Sequence, residues 1–223
     1  MTLLKRIAAQ LPNRWQYELK RIHYSRQISK GIFDTAEPEY KILPQLISSG
    51  DWVIDIGANV GHYTKRLSEL VGAFGRVIAF EPVPLTFALL AANVQLFALS
   101  NVTLINAAVS DKLGMVGMSI PKSSTGFINY YEAHLSSIDD SALSVFTMSL
   151  DSICTNQRIA LVKIDVEGHE AFVLTGMHRL LMKYHPILIV ETDSKEVIDN
   201  LSLLGYIPEK LLNSPNILFK PKV

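Results

Sequence analysis

The chain has 223 residues, 48% of them hydrophobic and 19% charged, the proportions of an ordinary globular protein with room for one sizeable core. Its 21 lysines and arginines balance 21 acids, so no overall field favours a polyanion such as nucleic acid. The single cysteine, Cys154, excludes an internal disulfide and a cysteine zinc site, and its plain reading is a small buried hydrophobe.

No apolar run approaches the roughly 20 residues a bilayer-spanning helix needs, and the start of the chain carries no compact secretory signal. A cytoplasmic protein without a transmembrane segment is the expectation. Residues 1–30 carry Lys5, Arg6, Arg14, Lys20, Arg21, Arg26 and Lys30 against the single acid Glu18, with Leu3, Leu4, Ile7, Trp15, Leu19 and Ile22 interleaved. That pattern predicts amphipathic helices. A basic solvated face packed on the domain is preferred over peripheral contact with an anionic membrane or an acidic partner. From Glu37 to Ser48 a helical pattern leads to a turn at Ser49, Gly50 and Asp51. The chain is therefore divided into a basic helical extension, 1–36, and a core domain, 37–223.

The next segment is the most informative. Trp52 to Ile56 reads as a strand covered on both faces, broken only by Asp55 at its end, and Gly57-Ala58-Asn59-Val60-Gly61 opens the following helix at His62, Tyr63 and Thr64. Gly57 permits a turn that a side chain would obstruct, and Gly61 is expected to let the helix approach a ligand closely. A carboxylate leaving an apolar strand is costly to bury unless it accepts strong hydrogen bonds, which the ribose or amino group of a nucleotide-like cofactor can donate. The spacing is G-x-x-x-G, so it lacks the paired early glycines of a dinucleotide site, and no P-loop lysine follows.

Strand and helix signals then alternate: a strand at 76–80, a helix at 84–97 and a strand at 102–106. That alternation implies βαβ units, an α/β fold with a parallel sheet. Glu81, ending the second strand beside Pro82, is placed to clamp ribose hydroxyls. Asn106, Ala107 and Ala108 follow the third strand, where Asn106 offers an amide to a flat base and the alanines leave it room. A short strand is expected at 115–120, then a polar, serine-rich stretch from Lys122 to Ser144 whose length suggests a functional loop. Tyr130, Tyr131 and His134 are read there as a lid over a sugar ring or as surface loop. Alternation resumes with strands at 145–148 and 160–164, a helix at 170–183, a strand at 187–190 and a helix at 194–204 ending at Gly205. Residues 206–207 and 217–219 would be closing edge strands. His23, His62, His178 and His185 are treated as structural or exposed.

Lys163-Ile164-Asp165-Val166-Glu167-Gly168-His169-Glu170 is the second charged strand-to-helix junction. In an open parallel sheet the crevice lies outside the carboxyl ends of the strands, so Asp165 should face the same space as Asp55 and Glu81. Glu170 reads as a helix cap.

These segments, with Phe80-Glu81-Pro82, Asn106-Ala107-Ala108-Val109 and Asn213-Ser214-Pro215-Asn216-Ile217-Leu218-Phe219, together resemble the FkbM family of S-adenosylmethionine-dependent methyltransferases from about residue 50 onward. The resemblance implies a class I, Rossmann-like, seven-stranded, mostly parallel sheet with helices on both faces. It also implies methyl transfer from S-adenosyl-L-methionine, usually to a hydroxyl of a sugar, glycan or natural product. On it, Asp55, Gly57, Asn59, Gly61, Thr64, Glu81, Asn106 and Ala107 are expected at the cofactor, and Asp165 or His169 as the base. An alternative version pairs Asp165 with Glu191 as oxygen ligands of Mg2+. A nucleic-acid or protein methyltransferase and a non-catalytic cofactor-binding module remain as competing readings. No nucleic-acid partner is expected, because Asp165-Val166-Glu167-Gly168 stands where an aromatic-proline motif would be.

Overall fold

The computed structural model describes residues 11–119, 134–136, 143–153 and 156–222. Cys154, the proposed lid residues Tyr130 and Tyr131, and the first ten residues lie outside that set; His134 falls in a short strand. The chain runs α1 (Asn13–Ser29), α2 (Pro38–Leu46), β1 (Trp52–Ile56), α3 (His62–Val71), β2 (Arg76–Phe80), α4 (Pro84–Val94), β3 (Val102–Ile105) and β4 (Ala108–Val109). It continues with β5 (Gly114–Ser119), β6 (His134–Ser136), β7 (Leu143–Met148), a 3-10 turn (Leu150–Ser152), β8 (Ile159–Ile164), α5 (Glu170–Gly176) and α6 (His178–Tyr184). The last elements are β9 (Ile187–Glu191), α7 (Lys195–Leu203), β10 (Tyr206–Lys210) and β11 (Asn216–Pro221).

Seven strands form the main sheet in the order β10-β11-β9-β8-β1-β2-β3, parallel except where β11 runs antiparallel to both neighbours. This is the seven-stranded, mostly parallel α/β architecture the resemblance implies. Each central strand sends alternate residues to opposite faces. Ile54, Ile78, Val162 and Leu188 join Val173, Leu181 and Val197 of α5, α6 and α7 in one core. Val53, Val77, Leu161 and Ile189 meet Leu43 of α2 and Leu67 and Val71 of α3 on the other. Both faces are dry, which is why these strands read as continuous apolar runs.

The structure corrects four expectations. β11 is not an edge strand: it lies between β10 and β9. Its start is fixed by Glu39 of α2, which accepts from Ser214 Oγ at 2.6 Å and from Asn216 Nδ2 at 2.6 Å. β7 does not belong to the parallel sheet; it enters a second sheet, β4-β7-β5-β6, pairing antiparallel with β5. Val145 and Thr147 are buried while Ser144 and Phe146 are exposed, the alternation of a strand covered on one side. The helix expected at 170–183 is two helices broken at Met177. A methyl group on Gly176 would lie 1.9 Å from the Ser110 carbonyl oxygen, so the chain packs there too tightly for a side chain, and Asp151 caps the restarted helix by accepting from the Arg179 and Leu180 amides at 2.9 Å each. Finally, α1 packs on the domain through Tyr17, Tyr24 and Ile28, but the face it turns to solvent is not only basic, since Trp15, Leu19 and Ile22 are exposed on it as well.

Candidate active-site crevice

The sheet geometry collects charge at one end. Asp55 is in register with Lys163 on the neighbouring strand, two residues beyond the core pair Val53 and Leu161 and therefore on the same face. Asp55 is fully buried; its Oδ2 accepts from Thr64 Oγ1 at 2.6 Å, while Oδ1 has no hydrogen-bond partner among the described residues. Lys163, 3% exposed, donates to Asp165 Oδ2 at 2.8 Å and lies 4.5 Å from the centre of the Tyr63 ring. Burial pushes the Asp55 carboxyl up, partly countered by the Lys163 ammonium and the Thr64 hydroxyl. Burial alone would lower Lys163, but the two aspartates outweigh it and hold the ammonium above its ordinary value.

Gly57 turns the chain at the end of β1 with φ of 77°, and a Cβ there would sit 1.9 Å from the Asp165 carbonyl oxygen. Only glycine fits where β1 and β8 deliver their last residues side by side. Gly61, with φ of 97°, packs instead toward Leu90 of α4 and borders neither cavity of the crevice. At this glycine the loop meets α4. Thr64 gives its hydroxyl to Asp55 and lines neither cavity, orienting the acid from behind.

Glu81 is nearly buried at the end of β2. Its Oε2 accepts from the Asn59 amide at 3.0 Å and its Oε1 from the Val83 amide at 2.9 Å, leaving a lone pair on each oxygen for a ligand. Asn59 takes φ of 50°, which aims that amide at Glu81. Asn106 reaches back to the β2 turn. Its Nδ2 donates to the Glu81 carbonyl at 2.8 Å and the Pro82 carbonyl at 3.1 Å, and the residue does not line the cavity; it braces the turn that carries Glu81. Ala107 does line it. Together with Val83, Ala108 and Met118 it makes an apolar slot, one wall of which is supplied by the second sheet. Met118 escaped sequence reading because its strand pairs with β7 across an intervening stretch.

The first cavity, about 210 Å³, runs from this slot past Gly57 to Asp165, His169 and Glu191. A second cavity of about 280 Å³ lies on the other side of the glycine loop and is bordered by Asp55, Lys163, His62 and Tyr63. Glu37, Gly57, Asn59 and Asp165 border both, so the two form one crevice. His169 Nε2 lies 2.9 Å from Ser110 Oγ, and that hydroxyl donates to Asp111 Oδ1 at 3.1 Å. A serine has one hydrogen to give; with it spent on Asp111, Ser110 accepts from Nε2–H, and Nδ1 is left as the basic nitrogen. Burial lowers the His169 pKa, against a smaller upward push from Asp111, which favours the neutral ring. Phe172 stacks on the ring at 4.6 Å. Glu170 accepts from the Gly168 amide at 2.8 Å, a cap on the chain entering α5.

For the Mg2+ version, the structure offers a poor donor set. Asp165 Oδ2 is engaged by Lys163, and among the described residues no three histidine, cysteine or carboxylate side chains converge on a point. Two residues outside the expected set matter more. Tyr63 bridges Glu37 Oε2 at 2.5 Å and Glu39 Oε1 at 2.9 Å, fixing the segment before α2 against the crevice. His62, expected to be structural or exposed, stacks on Phe33 at 4.2 Å while bordering the second cavity. Neither glutamate was legible as a site residue, because Glu37-Pro38-Glu39 has the composition of an ordinary helix start.

Burial is the first cause holding Glu81 at about 7; burial, followed by repulsion from Asp165, holds Glu191 at about 7. An acid with a raised folded-state pKa binds its proton more readily folded than unfolded, so its stabilising contribution is complete below the unfolded value near 4.5 and is lost as pH rises through about 7. A Glu81→Gln, Glu191→Gln variant is therefore expected to lose a downward slope of melting temperature between about pH 5 and about pH 8 that the ligand-free parent carries, which separates these acids from the opposing effect of the lowered His62 and His169. Equal pH slopes in variant and parent contradict the assigned environments.

Comparison with known proteins places the architecture. The crystal structure of methyltransferase FkbM from Methylobacillus flagellatus superposes with a TM-score of 0.55 at 16% identity, covering 77% of this chain and 44% of that one. Precorrin-6y C5,15-methyltransferase from Geobacter metallireducens gives 0.50 at 15% identity, covering 81% and 84%. Among curated proteins, ribosomal RNA large subunit methyltransferase E of Methanothermobacter thermautotrophicus is 37% identical over 73 residues, 30% of this chain and 34% of that protein. The chain thus spans about a third of that relative and less than half of the first structure. The profile described as the methyltransferase FkbM domain matches residues 55–208, from the buried acid of β1 into β10. With the seven-stranded order and the crevice at its carboxyl edge, this match establishes that the chain belongs to the FkbM methyltransferase family.

Proposed function

We propose that this chain is an S-adenosylmethionine-dependent O-methyltransferase acting on a hydroxyl of a sugar, glycan or natural product, with residues 37–223 as its catalytic unit and a cytoplasmic setting. The observation that carries the reading is the pair of buried acids flanking Gly57. Asp55 has an unpartnered oxygen, and Glu81 has a free lone pair on each oxygen, at opposite sides of one crevice. These residues fit the cofactor: the orphaned Oδ1 of Asp55 suits an ammonium, Glu81 suits two ribose hydroxyls, and the Val83, Ala107 and Met118 slot suits a flat base. When bound, S-adenosylmethionine supplies an electrophilic methyl group on a sulfonium.

The chain's own residues do the rest. They hold donor and acceptor collinear and exclude water, an effect worth about 7–11 kcal/mol in well-positioned reactions. An alcohol, with a pKa of roughly 16, must lose its proton as it attacks. Asp165 and His169 border the cavity where that proton leaves, with Glu191 beside them. Asp165 is the primary acceptor of the proton, and the neutral Nδ1 of His169 is the relay.

Besides Glu81, four acids, Glu37, Asp165, Glu167 and Glu191, border the first cavity, which favours an uncharged hydroxyl acceptor over a phosphodiester chain. The segment shared with the ribosomal RNA enzyme makes RNA the second reading. Incubation with methyl-labelled cofactor and panels of sugars, glycans, polyol natural products and RNA tests both. Label on an acceptor oxygen is the expected result; label on RNA, or on nitrogen or carbon, overturns the proposal.

A further inference from the structure

Helix α1 carries two apolar stripes, and only one is used by the fold. Tyr17, Tyr24 and Ile28 pack against Phe33, Val60 and Leu89. Trp15, Leu19 and Ile22, spaced four and three residues apart, lie on the opposite side of the helix, about 200° from Tyr17 at 100° per residue, and are 62%, 46% and 41% exposed. A helix lying on a domain needs one apolar stripe to stay there; the second has another purpose. Its surroundings are basic. Arg14, Arg21, Arg26 and Lys30 are exposed around it, His23 is exposed beside it, and Glu18, the helix's sole acid, is paired with Arg21 at 2.9 Å. The exposed side chain of Ile32 continues the apolar surface beyond the helix.

The geometry points to α1 as a docking surface for an anionic lipid bilayer. Trp15 has the amphipathic ring that settles at the headgroup level, Leu19 and Ile22 enter the acyl boundary, and the long arginine and lysine stems reach outward to lipid phosphates. Nucleic acid is the less suitable occupant, because the centre of the face is apolar and the cations flank it. The ten preceding residues add Lys5 and Arg6 and no acid, so the same charge complementarity extends along the sequence. The opposite, packed side of α1 lies beside the crevice: Tyr24 and Phe33 both contact the ring of His62, which borders the second cavity. Docking therefore holds that side of the catalytic domain near the membrane plane, while nothing spans it; among the described residues no helix is long and apolar enough to do so.

The test uses the full chain and vesicles of phosphatidylcholine with or without phosphatidylglycerol, read by co-sedimentation. Association with the anionic vesicles alone is expected, weakened by at least about tenfold in a Trp15→Ser, Leu19→Ser, Ile22→Ser variant and reduced by added salt in the parent. The variant should keep its thermal melt, since these side chains are exposed. With Trp52→Phe leaving Trp15 as the sole indole, anionic vesicles should shift its emission to the blue. Equal binding to neutral vesicles, no binding to either, or capture of RNA through the same cations without vesicle binding overturns the proposal. If a chain lacking residues 1–10 alone binds vesicles, those residues and not a bilayer occupy the stripe in the full chain, and the proposal again fails.

Discussion

Asp165→Asn is expected to slow methyl transfer by about 10²–10⁴-fold while leaving S-adenosylhomocysteine affinity within a few fold. The substitution preserves shape. An asparagine oxygen can still accept from Lys163 Nζ, which lies 2.8 Å from Asp165 Oδ2, and the backbone carbonyl that packs against Gly57 is untouched. What it removes is the carboxylate that takes the acceptor's proton in the proposed reaction. The Glu81 and Asp55 ends of the crevice, where the cofactor is held on this account, do not depend on it directly. Single-turnover rates alongside calorimetric affinities separate the two effects. Unchanged transfer would remove Asp165 from the chemistry and move the base to His169, whose Nδ1 is left basic by the Ser110 and Asp111 chain.

Lys163→Met is expected to cost about 3–5 kcal/mol of stability, the usual penalty for removing one partner from a buried charged group. The side chain is 3% exposed, in register with Asp55, bonded to Asp165 and set against the Tyr63 ring. Without the ammonium, the fully buried Asp55 loses its counter-charge in a low-dielectric region, and the partly exposed Asp165 loses its ion pair. Asp55 is already raised by burial with Lys163 in place, and losing that cation pushes it further in the same direction. An acid raised in the folded state is stabilising in its protonated form, so the gap between variant and parent should narrow as pH falls toward the ordinary carboxylate range and widen above it. Denaturant melts at several pH values measure this. A gap that stays constant with pH would show that Lys163 acts by packing alone.

Much of this was readable in the chain. The run from Trp52 to Phe80 announces two buried strands joined through a glycine turn and a helix, and period-two faces follow from it. The acids ending β1, β2 and β8 were legible because a carboxylate after an apolar run needs a reason to be there. Their company was harder to see. Lys163 stands in a charged strand end, yet its partnership with Asp55 depends on the register between β8 and β1, strands about a hundred residues apart in sequence. Asn106, Gly61 and Thr64 show the opposite difficulty. Each has the residue type a ligand contact would use, and each turns behind the loop: Asn106 to the Glu81 and Pro82 carbonyls, Gly61 to Leu90, Thr64 to Asp55. Local sequence places a residue at a strand end but does not say which way its side chain is spent. The second sheet was missed for a related reason. Residues 143–148 have a strand pattern whichever sheet receives them, and only pairing with β5 decides it. The helix break at Met177 likewise depends on a distant partner, the Ser110 carbonyl against Gly176.

Glu81 is the residue on which the proposed cofactor site most directly depends. Calorimetric titration of the full chain with S-adenosylhomocysteine, in parallel with Glu81→Ala, measures whether the acid at the end of β2 holds the nucleoside. Charge-assisted bonds to two ribose hydroxyls, each worth about 1.5–3 kcal/mol, put the expected loss at about a hundredfold or more from a micromolar wild-type affinity. Equal affinity in the two proteins, or no binding by the wild type, would contradict the cofactor site placed beside Gly57.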